Sequence, residues 1–264
     1  MTTIVWFRED LRVADNPALR RAVARGGPVV PVFVLDDHAP DPWQPGGAAR
    51  WWLHHSLRAL DAALGERGSR LVLRRGPADR VIPELVGETG ATAVVWNRLY
   101  QGWARERDAG IKQTLKDAGV LAESFQDRVL HEPWVPRTGG GEPYKVFSPF
   151  WKALLKLGAP ETPQPAPTRI PEGPAVASED LDSWGLHPTQ PDWSGGLRAT
   201  WTPGEAGARA RLTAFLDGAL AQYPELRNRP DRAGTSAMSP HLRWGEVSPA
   251  EVWHATQHRM DRDG

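Results

Sequence analysis

The 264-residue sequence contains no cysteine. That excludes a disulfide framework, a thiolate nucleophile and a cysteine-based zinc site, and it agrees with a reducing compartment. A surplus of charge is also missing, since 32 lysines and arginines balance 32 aspartates and glutamates. No global field therefore draws the chain to nucleic acid or to a membrane surface, although a local basic face is compatible with neutrality. No run reaches the ~20 apolar residues of a membrane span. The N-terminus runs from a strand straight into charged sequence, without the basic region, apolar core and cleavage site of a signal peptide. The expectation is a soluble, cytoplasmic monomer. GxGxxG after the first strand and GxxxxGKS/T are both absent, which removes the common dinucleotide and P-loop fingerprints. What is present, 40% hydrophobic residues over this length, suffices for one large domain or for one domain and part of another.

Short apolar runs alternate with helical patterns through the first half. Strands are expected near Ile4 to Phe7, Val29 to Leu35, Arg70 to Leu73, Ala93 to Trp96 and Val120 to Phe125. Helices are expected near Pro17 to Arg25, Ala49 to Leu64, Ala78 to Glu88 and Arg105 to Asp117, with Asn16 as a cap and Pro17 as first helical residue. This alternation predicts an α/β domain over residues 1–130, a doubly wound parallel sheet of five strands. Asp36 and Asp37 stand at the strand end where such sheets bind ligands, but read as ordinary loop carboxylates. From Gly158 to Thr200 proline, glycine and polar residues dominate, which predicts a linker pinned by Trp184, Trp193 and Trp201. The interdomain segment is taken as 131–200. Capping boxes at Thr202 to Glu205 and Ser248 to Glu251 then open helices, and Leu212, Phe215, Leu216, Ala219 and Tyr223 recur on one helical face. Residues 201–264 are too few for more than a marginal core.

The segment GTSAMSPHLRWGEVSP, from Gly234 to Pro249, concentrates hydroxyls, glycines and helix-starting prolines. Ser239 reads as an N-cap before Pro240, and a helix N-terminus among hydroxyls suits a phosphate, although capping and turning explain the segment as well. It does not stand alone. IVWFREDLRVADNPAL, AARWWLHHSL, WNRLY and YKVFSPFW precede it in that order. Together these stretches resemble the DNA photolyase/cryptochrome family along nearly the whole chain, most thinly between Gly158 and Thr200.

The resemblance implies an antenna domain followed by the first helices of an all-α FAD-binding domain. It implies light-dependent repair of cyclobutane pyrimidine dimers in ultraviolet-damaged DNA, by electron transfer from reduced FAD. Tyr223, Thr235, Ser236, Ala237, Met238 and Ser239 would contact the flavin nucleotide. Ala237 replaces an arginine often seen at that place and is given backbone contact only. Arg227 and Arg229 would reach DNA phosphates, and a solvated turn explains them equally. An antenna chromophore of folate or deazaflavin type is implied, but Trp103 and Ala104 stand where a folate-using relative offers a polar pair with a carboxylate. The family's isoalloxazine contacts, lesion contacts and electron-relay tryptophans would follow Gly264, so the chain is expected to be the N-terminal part of a longer protein and no catalytic residue is assigned. A cryptochrome-type photoreceptor and a non-enzymatic antenna remnant are the alternatives. The 13 tryptophans read mostly as core or linker anchors. His254 and His258, at i and i+4, lack a third ligand and read as a solvated helix face, not a metal site.

Overall fold

The computed structural model describes residues 1–37 and 44–263, so Trp43 lies outside the described residues. Strands β1 (Thr3–Phe7), β2 (Val29–Leu35), β3 (Val72–Arg75), β4 (Ala93–Asn97) and β5 (Leu121–Phe125) form one parallel sheet in the order β3-β2-β1-β4-β5. Helices α1 (Pro17–Ala24), α2 (Gly47–Gly65), α3 (Ala78–Thr89) and α4 (Gly102–Asp117) are its crossovers. β1, β2 and β4 are buried throughout, which is why they read as unbroken apolar runs. One face of the sheet packs Val5, Phe7 and Phe33 against Leu19 of α1 and Leu53 and Leu57 of α2. The other packs Ile4, Trp6 and Trp96 against Ile82 of α3 and Ile111 and Leu115 of α4. The doubly wound sheet is the one the alternation predicts.

Local chemistry accounts for the element boundaries. Asn16 Oδ1 accepts from Leu19 N at 3.0 Å and so caps α1. The third strand starts two residues later than expected because Asp61 Oδ1 takes the Leu71 N–H at 2.8 Å, before the ladder opens at Val32 and Val72. Asp36 Oδ2 accepts from Ala78 N at the start of α3 and from Arg107, both at 3.3 Å. Asp37 pairs with Arg50 and Arg75 at 3.0 and 2.9 Å. Both aspartates therefore hold structure together, as loop carboxylates.

The proline-rich segment is no free tether. Val29 N donates to Pro171 O at 2.8 Å, Glu172 bridges Val29 in parallel, and Glu179 N donates to Leu73 O at 2.9 Å. Ile170, Trp184 and Leu186 join the apolar cluster under α2. Trp184 lies in a short 3-10 helix, Leu181–Trp184, with its ring 6.2 Å from Phe33. Trp201 meets Trp52 edge-on at 5.4 Å. Trp193 departs from expectation: it is 49% exposed, with its ring against Gly47.

Among the described residues six further α-helices follow β5: α5 (Phe147–Leu155), α6 (Gly195–Thr200), α7 (Glu205–Asp217), α8 (Tyr223–Leu226), α9 (Ser239–Trp244) and α10 (Pro249–Asp263). α5 and α6 are not anticipated by periodicity; α5 has no buried residue. The capping box at α10 forms its serine half, Ser248 Oγ accepting from Glu251 N at 2.9 Å. The one at α7 does not form, because Gly204 is the N-cap and Glu205 accepts instead from Val13 N at 2.9 Å, across to the loop after β1. The apolar face also stops short: α7 ends at Asp217, and Tyr223 opens α8 with its ring edge-on to Phe215 at 5.8 Å. Ala208, Leu212, Met238 and Val247 form a small second core, and the segment that carries it packs against the loop after β1.

Gly245 shows how closely. It ends α9 at φ +61°, and a Cβ there would sit 2.1 Å from Glu9 O and 2.6 Å from the Asp10 Cα. Gly245→Ala is expected to destabilise the chain by about 2–5 kcal/mol, from ~1–2 for a left-handed alanine and ~1–3 for overpacking. Urea unfolding measures it; a loss below 1 kcal/mol would refute the close approach.

Candidate functional site

The loop between α8 and α9 owes its position to two buried anchors. Gly234 packs so tightly on α8 that a Cβ would lie 2.3 Å from the Leu226 Cβ, and Met238 is 2% exposed in the second core. Between them Thr235 is exposed, Ser236 and Ala237 are half-buried, and Ala237 has φ +50°. A non-glycine residue held in that region marks a backbone fixed by its surroundings. Among the described residues none hydrogen-bonds to the hydroxyls of Thr235, Ser236 or Ser239. Ser239 does not cap α9, whose N-cap is Met238 without a side-chain bond, and α9 is only six residues long. The loop thus offers hydroxyls and turn backbone, not a long helix N-terminus.

Tyr223 is 37% exposed. Because Gly234 rests on Leu226, the short helix α8 brings Tyr223 and the loop into one region. Arg227 lies over the Tyr223 ring at 6.0 Å. Arg229 is exposed and bonded to both oxygens of Asp231, at 2.8 and 2.7 Å. A phosphate at Arg229 would have to compete with that carboxylate. His254 Nε2 donates to Pro160 O at 3.0 Å, and its ring meets Trp253.

Behind the loop lies a buried polar knot that sequence reasoning missed. Glu246 is fully buried. Its Oε1 accepts from Trp52 Nε1 at 2.9 Å, from Gly204 N at 2.7 Å and from Ser56 Oγ, and its Oε2 meets His241 Nδ1 at 2.5 Å. One carboxylate thus ties α2 to the N-terminus of α7 and to α9. Beside it Arg12 is 1% exposed, bonded to Asp127, to Gly245 O at 3.0 Å and to Asp15 O at 2.6 Å. Arg128 and Arg243 converge on Glu9, and burial, with Arg243 nearby, pushes Arg128 down to about 9. The signal available in the sequence was a glutamate directly after the helix-ending Gly245.

At the switch point, where the connections leaving the paired strands β1 and β4 run toward opposite edges of the sheet, the crevice is filled by the chain itself. Arg8 donates to Asp108 at 2.6 Å and to Asn97 O, and Asn97 Nδ2 donates to Asp10 at 2.7 Å. Arg107 is sandwiched between Trp6 and Trp103, 5.0 Å from each ring. The adjoining pocket, lined by Tyr100, Lys112 and Trp134, holds about 160 Å³.

The family model described as DNA photolyase matches residues 3–169. The chain belongs to the DNA photolyase family. Over 256 residues, 96% of its length, it is 48% identical to the deoxyribodipyrimidine photo-lyase of Agrobacterium fabrum, of which it covers 53%. It is 38% identical to cryptochrome-1 of Arabidopsis thaliana, covering 37% of that protein. The crystal structure of a bacterial class III photolyase from Agrobacterium tumefaciens superposes with a TM-score of 0.93 at 47% identity, over 98% of this chain and 54% of that one. The chain thus spans about half the length of these photolyases. Within the photolyase family match lie the sheet and the filled switch point. The Tyr223 and Thr235–Ser239 region lies beyond residue 169 and is reached by the pairwise likenesses. Among the described residues no helix is long and apolar enough to cross a membrane.

Proposed function

We propose that this chain supplies the α/β domain and the nucleotide-holding loop of a light-dependent repair enzyme for cyclobutane pyrimidine dimers in DNA. The supporting observation is 48% identity to a deoxyribodipyrimidine photo-lyase along 96% of the chain. In this reading residues 1–130 are the antenna domain, 131–200 the connecting segment and 201–264 the start of the FAD-binding domain. The chemistry that a bound reduced FAD supplies is light-driven transfer of one electron to the dimer and its return after splitting, with no net redox change. No acid, base or nucleophile of this chain takes part.

The loop fits a flavin nucleotide: its hydroxyls at Thr235, Ser236 and Ser239 have no internal partner, and its backbone is fixed at both ends. Thr235, Ser236 and Ser239 would hold the diphosphate, Ala237 and Met238 would contribute backbone, and Tyr223 a ring face beside it. Arg227 and Arg229 would meet DNA phosphate, Arg229 by exchanging Asp231 for it. An antenna chromophore does not fit the β1–β4 crevice, since Arg8, Arg107 and Asp108 fill it and ~160 Å³ is well below the ~300 Å³ of small ligand pockets.

A chimera of this chain with the remaining half of the Agrobacterium photo-lyase tests the reading. Light-dependent loss of dimers from an oligonucleotide is expected. A folded, flavin-loaded chimera that repairs nothing favours the cryptochrome reading, which the 38% identity to cryptochrome-1 keeps in view. A folded chimera without flavin favours the remnant. In the same chimera Gly234→Ala, which pushes Leu226 and the loop apart, is expected to weaken FAD binding about ten-fold, or ~1.4 kcal/mol, as read by flavin release.

A further inference from the structure

A second polar cluster lies far from that loop in sequence. His54 and His55 of α2 and His187, after the 3-10 helix, form a triangle of imidazoles with centroids 5.1, 5.6 and 5.5 Å apart. With Arg58, Gln190 and Trp193 they line a cavity of about 720 Å³. His54 is 5% exposed, and its Nδ1 and the Nε2 of His55 are buried without a hydrogen-bond partner. A buried nitrogen left without a partner is unfavourable. Two of them on residues lining one cavity point to a group that the chain does not supply.

The surrounding charges define that group. Arg58 of α2 is bonded to both oxygens of Asp182 at 2.7 and 2.9 Å, and Arg198 of α6 is paired with Asp192 at 2.8 Å. Asp182 also lies 3.7 Å from His54 Nε2. Both aspartates are thus neutralised by arginines, and protonating the imidazoles adds positive charge without a matching anion. Burial first, then the neighbouring cations, hold His54 below the ordinary histidine range and push His55 down to about 4. Among the described residues no group of three histidine, cysteine or carboxylate side chains is placed to hold a metal ion.

We propose that this cavity is an oxyanion site, taking a divalent sulfate- or phosphate-type group bound by His54, His55 and His187 with uptake of protons from solvent. His187 Nδ1 lies 3.0 Å from Pro188 O and donates there, so a proton on Nε2 gives it a second donor for the anion. The anion supplies the counterion that the imidazoles lack, and proton uptake and binding strengthen each other. Trp193, on the rim, offers a flat face to whatever carries the group.

Sulfate is the probe, because it keeps its charge between pH 7.5 and 5.5. Titrating the 264-residue chain while following the histidine ring protons by NMR is expected to give saturable shifts at His54, His55 and His187. Affinity should rise about ten-fold per pH unit for each coupled proton as pH falls. His55→Gln and His187→Gln should each weaken binding ten-fold or more. Absence of a saturable shift at these three rings, or an affinity independent of pH, overturns the proposal, and the wild-type spectra decide even if a variant misfolds. Inorganic phosphate and a mononucleotide, compared at one pH, separate a free anion from an esterified one. Tighter nucleotide binding that Trp193→Ala abolishes assigns the carrier.

Discussion

Glu246→Ala is expected to destabilise the chain by about 3–5 kcal/mol, because four donors, the Trp52 indole, the Ser56 hydroxyl, the Gly204 amide and His241 Nδ1, lose their acceptor in a dry interior. A domain's whole stability is of the order of 5–15 kcal/mol. The variant should therefore unfold at markedly lower urea, with residues 201–263 becoming sensitive to protease before the sheet does. Glu246→Gln keeps the shape and one acceptor oxygen, so a smaller loss of ~1–3 kcal/mol is expected. The order matters as much as the size. If alanine and glutamine cost the same, shape and not the carboxylate holds α2 against α7 and α9.

The second large effect is expected at Arg12. Arg12→Met strands Asp127, 8% exposed as a residue, with no cation beside it, and removes donors from Gly245 O and Asp15 O. A loss of about 3–5 kcal/mol is expected at neutral pH. Burial already lifts the Asp127 carboxyl above the usual range against the pull of Arg12, so removing Arg12 lifts it further. An acid with a raised folded-state value contributes its stability below its unfolded value and loses it as pH rises through the folded one. The Arg12→Met deficit should therefore shrink from pH 8 to pH 5, and adding Asp127→Leu should recover much of it. A deficit unchanged by either would mean that the bonds to Gly245 and Asp15 dominate.

Much of the α/β domain was legible because strands buried on both faces announce themselves as apolar runs, and because Asn16 and Pro17 write a helix start in local chemistry. What was not legible depends on distance in space. Glu205 looked like a capping-box partner, yet the Val13 amide, 192 residues away, competes for it. Ser239 looked like a cap, yet the turn at Ala237 makes Met238 the boundary. At the candidate site the signal in the sequence is the loop's hydroxyls. The Glu246 knot behind it was not legible, since a buried glutamate carries no periodic signature and its donors stand up to 194 residues away. His187 likewise gains meaning only once the proline-rich segment lies across α2.

That segment also sets a timetable. Ile170, Trp184 and Leu186 belong to the apolar layer that contains Phe33, Leu57 and Leu73, but Leu186 is encoded 61 residues after β5 ends at Phe125. At ~5–20 residues per second, a ribosome needs about 3–12 s to deliver it. Until Leu186 arrives, the nascent chain has every described strand of its sheet but an incomplete apolar layer under α2.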